Sequence, residues 1–298
     1  MTIHSRAPVV VGVDGSAAAL DAVRVAAREA ADRNRPLQVV HAFIWPLTRA
    51  PLTPAPGAPA GAGLRNQAER IVTEAVAEAG KTAPDVPVTG VVADGAAGAV
   101  LVAESRNAAL VVLGHRGLGG FAGLLIGSVT LQVSARAHCP VLVTRGEARA
   151  DGPVVVGVDG SAISTAAVGF AYAEAARRDT PLVVVHAWLH PVPIGPGDIL
   201  PLVHDPEECA EESRRVVAES VAGWSGRYPD VRVHQRSVRG APARVLVEES
   251  KAAQLMVVGA HGHGALGGLL LGSVSHAVLH HAQSPLVIVR DAPGPASA

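Results

Sequence analysis

The chain has 298 residues, 49% of them hydrophobic and 17% charged, which is enough to bury two cores of ordinary size, and two domains are expected. Its net charge of -1 and the absence of any long Lys or Arg run leave no field to gather nucleic acid or an anionic membrane, so neither is expected as a partner. Two cysteines, Cys139 and Cys209, make no repeated pair or metal spacing, the N-terminus has no apolar signal core, and no apolar stretch reaches the roughly 20 residues of a membrane span; a cytoplasmic protein is expected.

The segment VVVGVDGSA from Val9 to Ala17 returns residue for residue from Val154 to Ala162. Each copy is an apolar strand without alternation, the pattern of a parallel sheet covered on both faces, and it runs into a turn at Asp14 or Asp159. Ser16 and Ser161 are placed to cap alanine-rich helices reaching about Asn34 and Asp179. Second strands follow Pro36 and Pro181, LQVVHAF from Leu37 to Phe43 and LVVVHAW from Leu182 to Trp188, with His41 and His186 in register. Proline-dense connections come next, Trp45 to Gly63 and Leu189 to Pro206. Their length suits either a lid, with Arg49 reaching a phosphate, or a plain spacer.

Helical spacing resumes from Leu64 to about Gly80 and from Glu207 to about Trp224. Third strands at Val88 to Val92 and Val231 to Val238 end at Gly95 and Gly240. Short helices then cover Ala97 to Asn107 and Pro242 to Ala252, where Pro242 fits a first helical turn. After a fourth apolar run and a glycine loop, each half closes behind a proline with PVLVT from Pro140 or PLVIV from Pro285. Strand and helix alternate through five strands per half, which predicts two doubly wound α/β domains with right-handed crossovers, over residues 1–147 and 152–293. Gly146 to Pro153 is the short polar tether between them.

The fourth strand leads into the stretch around which each half is arranged. LVVLGHRGLGGFAGLLIGSVTLQVSARA, from Leu110 to Ala137, recurs from Leu255 to Ala282 as LMVVGAHGHGALGGLLLGSVSHAVLHHA. Both keep the spacing G-x2-G-x9-G-S: Gly114, Gly117, Gly127 and Ser128 return as Gly259, Gly262, Gly272 and Ser273, displaced by 145 positions. Strand, glycine loop and helix start together make an anion site, with phosphate as the expected anion.

The duplicated strand with its aspartate and the duplicated G-x2-G-x9-G-S resemble the universal stress protein family, in its ATP-binding form with two such domains in one chain. The resemblance covers nearly the whole sequence. It implies strand order 3-2-1-4-5 in each half, which sets Asp14 opposite Gly114 and Asp159 opposite Gly259 across the crevice where ligands bind. An aspartate there suits a ribose hydroxyl or the adenine amino group, and the glycine loop takes the phosphates. Backbone at Ala42 and Ala187 would contact the adenine.

The site set is then Gly12, Asp14, Ala42, Gly95, Gly114, His115, Arg116, Gly117, Gly127, Ser128, Val129 and Thr130 in the first half. In the second it is Gly157, Asp159, Ala187, Gly240, Gly259, Ala260, His261, Gly262, Gly272, Ser273, Val274 and Ser275. The cofactor is ATP, with magnesium as a further candidate. The resemblance also implies a stress-response sensor or regulator that forms a homodimer and acts on a regulatory protein partner.

No catalytic residue is assigned. The G-x4-G-K-[ST] motif and the kinase catalytic-loop pattern are absent, and no general base is apparent, so a binding module is expected rather than an enzyme. The alternatives are a slow ATP hydrolase and a nucleotide-free scaffold. Arg116 lies in the first loop, whereas the second has His261 and His263 and no Lys or Arg from Met256 through Val289. The first site should hold ATP more tightly at neutral pH, and acidification should narrow the gap as the histidines charge.

Blander readings compete at several of these residues. Asp14 and Asp159 could simply order a turn, and the glycine loops could be connectors. His41 and His186 read as interior histidines, and Cys139 as a small buried side chain. His276 and His280 share a helix face but lack the carboxylates or cysteines of a metal site, and none is assigned.

Overall fold

The computed structural model describes residues 7–44, 62–118, 125–146, 148–189, 206–262 and 271–290. The proline-dense connections with Arg49, most of both glycine loops and His263 lie outside the described residues. Two compact units divide between Thr144 and Arg145.

In the first unit the strands are β1 (Val9–Gly12), β2 (Leu37–Phe43), β3 (Val88–Asp94), β4 (Leu110–Gly114) and β5 (Val141–Thr144). They lie in the order β3-β2-β1-β4-β5, with each neighbouring pair parallel. The second unit repeats this with β6 (Val154–Val158), β7 (Leu182–Trp188), β8 (Val233–Arg239), β9 (Leu255–Gly259) and β10 (Leu286–Val289), in the order β8-β7-β6-β9-β10. Both are the expected 3-2-1-4-5. Val9, Val10 and Val11 are wholly buried, as are Leu110, Val111 and Val112. Central strands covered on both faces have no use for polar alternation, which is why these runs are continuous.

Helices α1 (Ala17–Asp32), α2 (Ala62–Thr82), α3 (Ala97–Glu104) and α4 (Ser128–Arg136) serve the first sheet. Their counterparts are α5 (Ala162–Arg177), α6 (Pro206–Val221), α7 (Pro242–Glu249) and α8 (Ser273–His281). In the first unit α1 packs on α2, and α3 packs on α4. Ser16 and Ser161 are N-caps, their hydroxyls accepting from the amides of Ala19 and Ser164. α1 and α5 stop two residues short of the sequence estimate because Asn34 and Asp179 adopt left-handed φ of 50° and 48°. That conformation cannot continue a right-handed helix, and Arg35 N–H and Thr180 N–H then donate back to Ala30 O and Ala175 O. β8 starts at Val233 rather than Val231, since Val231 N–H is drawn into a turn with Tyr228 O.

Among the described residues no helix is long and apolar enough to cross a membrane.

Candidate functional site

The strand order reverses between β1 and β4, because β1 is followed in the chain by β2 on one side while β4 lies on the other. A crevice opens there beyond the carboxyl ends of the strands. In the first unit it is a cavity of about 390 Å³ lined by Gly12, Asp14, Ala42, Gly114, Arg116, Gly117, Gly127, Ser128, Val129 and Thr130 together with apolar Val40, Leu101, Leu113 and Ile126. The second unit has a cavity of about 370 Å³ lined by Gly157, Asp159, Ala187, Gly259, His261, Gly262, Gly272, Ser273, Val274 and Ser275, with Val185, Leu246 and Val258. Both volumes suit a small-molecule ligand.

Four expected residues line neither cavity. Gly95 N–H donates to Phe43 O and Gly240 N–H to Trp188 O, so these glycines tie off the ends of the edge strands. His115 faces the other way: its amide and its Nδ1 both bond Thr144 O, joining the ends of β4 and β5. Ala260 N–H likewise donates to Val289 O.

The motif glycines prove to have several different tasks. A Cβ on Gly114 would stand 2.9 Å from Ala18 O, and one on Gly259 would stand 2.7 Å from Ile163 Cγ2, so the first glycine admits the opening turn of α1 or α5. A Cβ on Gly117 would stand 2.1 Å from Asp14 Oδ2, and one on Gly262 would stand 2.2 Å from Asp159 Oδ2. The second glycine therefore makes way for the aspartate. The third, Gly127 or Gly272, is the N-cap of α4 or α8, and its amide is engaged with His115 O or Ala260 O.

The residues after that glycine have amides open to a ligand. Neither α4 nor α8 has a side-chain cap, and their first backbone bonds are Leu131 N–H to Gly127 O and His276 N–H to Gly272 O. Among the described residues, Ser128, Val129 and Thr130, and equally Ser273, Val274 and Ser275, have no acceptor for their N–H groups. Three unpaired donors at the positive end of a helix dipole are an anion cradle. The hydroxyls of Thr130 and Ser275 are not part of it, since they donate to Gly114 O and Gly259 O and so fix the helix start over the strand end.

Asp14 is half-buried, with Oδ1 accepting from Ser16 N–H at 3.0 Å and Oδ2 from Leu118 N–H at 2.7 Å. Asp159 Oδ1 accepts from Ser161 N–H and from its hydroxyl. Turn ordering is thus one real task of these carboxylates. An ionised carboxylate has about four lone-pair positions, so Asp14 retains capacity for ligand donors.

Leu101 and Leu246, which line the two cavities, escaped the sequence reading. They pass close under Gly12 and Gly157, where a Cβ would stand 2.8 Å and 2.7 Å from their δ-methyls. The signal that could have found them is their own displacement by the motif's 145 residues.

His41 Nδ1 donates to Val13 O, holding the end of β1 just ahead of Asp14, whereas His186 Nδ1 shares a hydrogen bond with Ser213 Oγ. Burial pushes the Cys139 thiol up to about 12, which keeps it protonated and unreactive at neutral pH. His276 and His280 lie with ring centroids 4.5 Å apart, and among the described residues no group of three or more metal-ligating side chains gathers.

Two doubly wound units, each with an uncapped helix end over a crevice at the strand-order reversal, define a duplicated doubly wound α/β protein. The chain belongs to the universal stress protein family, whose sequence model matches residues 6–145 and 152–290. It is 38% identical over 294 residues to a universal stress protein of Mycolicibacterium smegmatis, covering 95% of this chain and 96% of that one. A universal stress protein of Mycobacterium tuberculosis is 40% identical over 294 residues, with the same coverage of 95% and 96%. The fold is shared with the crystal structure of a universal stress protein from Archaeoglobus fulgidus, at a TM-score of 0.68 and 17% identity over 97% of this chain and 98% of that one.

Proposed function

We propose that each unit binds ATP, and that the protein is a nucleotide-dependent regulator of a stress response rather than a catalyst. The observation that carries this reading is the pair of helix starts, each with three unpaired amides facing a cavity whose other wall is apolar. The amides suit the phosphates, the apolar wall suits a nucleobase, and Asp14 or Asp159 suits the ribose hydroxyls between them. Each cavity has a single carboxylate among its described lining residues, so a magnesium ion would be held chiefly by the phosphates. A binding role is supported by the engagement of the Thr130 hydroxyl, whose proton is committed to Gly114 O. As a regulator in the cytoplasm the protein would act through a homodimer or a protein partner, as the resemblance implies.

Gly127→Asp tests the anion cradle directly. Gly127 has the extended backbone of an N-cap, φ -72° and ψ 146°, and a Cβ there would meet its nearest neighbour at 3.6 Å, an ordinary contact. The aspartate would accept from the amides meant for phosphate, cap α4, and repel a phosphate tail. Stability should hold or rise by a few tenths of a kcal/mol. ATP stoichiometry in equilibrium dialysis should fall from two per chain to one, and retention of two would refute the cradle. Mass analysis of ligand released from purified protein then separates the roles, with intact ATP favouring the regulator, ADP formed with turnover the hydrolase, and no nucleotide the scaffold.

A further inference from the structure

The two cavities share their amide cradle, the aspartate on the β1 or β6 side and most of their apolar wall, but among the described lining residues of the loop the one that carries a fixed charge differs. Arg116 lines the first, and His261 stands at the corresponding place in the second. Resting on the reading that both bind ATP, we propose that the first cavity discriminates among adenine nucleotides by the number of phosphates they carry, while the second binds them with little regard to that number.

Arg116 is exposed at the cavity wall beside Gly117, and no ion pair or hydrogen bond engages its guanidinium among the described residues. A guanidinium is charged at every accessible pH and presents a donor fork that fits phosphate oxygens. Its attraction therefore grows with each phosphate added to the ligand. Helix amides are dipoles of short reach, and they serve whichever phosphate sits on the helix start without gaining much from a longer tail.

Among the described lining residues the opposing charge is the same in both units, one aspartate on the β1 or β6 side, so it cancels from the comparison. Other charges on the second unit do not substitute for Arg116. Arg239 ends β8, three strand spacings or ~14 Å from the end of β9 where the loop begins. Arg244 lies on α7, and neither arginine lines the cavity. The first unit has Asp94 where the second has Arg239, so at that far rim the charge difference runs opposite to the one in the loop.

Titration calorimetry of the full chain with ATP, ADP and AMP, for the native sequence, Arg116→His and His261→Arg, tests the proposal. Arg116 is exposed and unpaired, so its replacement does not threaten the fold. The native protein should show two ATP steps, with the tighter one losing about tenfold between ATP and AMP and the weaker one losing much less. Arg116→His should merge the two ATP steps at the weaker affinity, and His261→Arg should merge them at the tighter one. Added salt should weaken the tighter native step selectively. Two ATP steps in Arg116→His with the native ATP-to-AMP ratios would overturn the proposal, as would a single class of sites in the native protein; both results would leave nucleotide binding itself intact. A native protein that takes up no nucleotide would overturn both readings.

Discussion

Asp14 links two segments more than a hundred residues apart, because one carboxylate oxygen accepts from Ser16 N–H and the other from Leu118 N–H. The contact is possible only because Gly117 has no side chain, since a Cβ there would fall 2.1 Å from Asp14 Oδ2. Bulk at position 117 would thus break the Asp14 contact even if no ligand ever bound, so a Gly117 variant cannot by itself isolate the phosphate cradle. Asp14→Asn makes a cleaner probe of the aspartate. A carboxamide offers one oxygen and one donor group, so it satisfies one of the two amides and faces the other with N–H. Hydrogen exchange at Ser16 or Leu118 should accelerate, with a loss of about 1 kcal/mol in stability and roughly tenfold in ATP affinity. Native protection at both amides would show that the carboxylate does not hold the loop.

At the scale of elements, each first helix ends on an ion pair that the strand pattern does not hint at. Glu29 and Arg33 pair on α1 with side chains only 6% and 9% exposed, and Glu174, fully buried on α5, pairs with Arg177 and Arg178. Breaking a buried pair from one side costs far more than the pair is worth, because the remaining charge is left in a poor solvent. Arg33→Met should therefore lower stability by about 3 kcal/mol, seen as a fall in the urea midpoint, whereas a loss under ~1 kcal/mol would mean that water already reaches Glu29. Strands and the Ser16 and Ser161 caps were legible in the sequence because each rests on neighbours within a few positions or on the exact duplication, whereas strand order came only with the family resemblance. The tasks of the glycines were not legible. Spacing shows which residues lack a side chain, but it does not show that Gly114 clears Ala18 or that Gly117 clears Asp14, since those neighbours are distant in the chain.

Across the whole molecule the duplication preserves the cavities more closely than the supporting bonds, and the second unit carries on α8 a half-buried histidine flanked by two exposed ones that the first unit lacks. His280, His276 and His281 on α8 stand where α4 has Ala135, Leu131 and Arg136. Burial, and then the charges of His276, His281 and Arg145, push His280 below its ordinary 6.5, and its Nε2 is buried without a partner among the described residues. Burial also lowers His186, against the opposing pull of Asp159 and Glu212. A histidine whose folded value lies below its unfolded one binds its proton less readily in the folded state. The stability it permits is therefore complete above pH 6.5 and drains away as pH falls toward the folded value. The second unit should accordingly loosen first on acidification. His280→Ala, which installs the residue already present at the matching place in the first unit, should flatten that loss while leaving the neutral-pH stability nearly unchanged. Segment-resolved hydrogen exchange over a falling pH series would follow β9 and β10 against β4 and β5. An acid dependence in the second unit that is no shallower after His280→Ala would assign its acid lability to other groups.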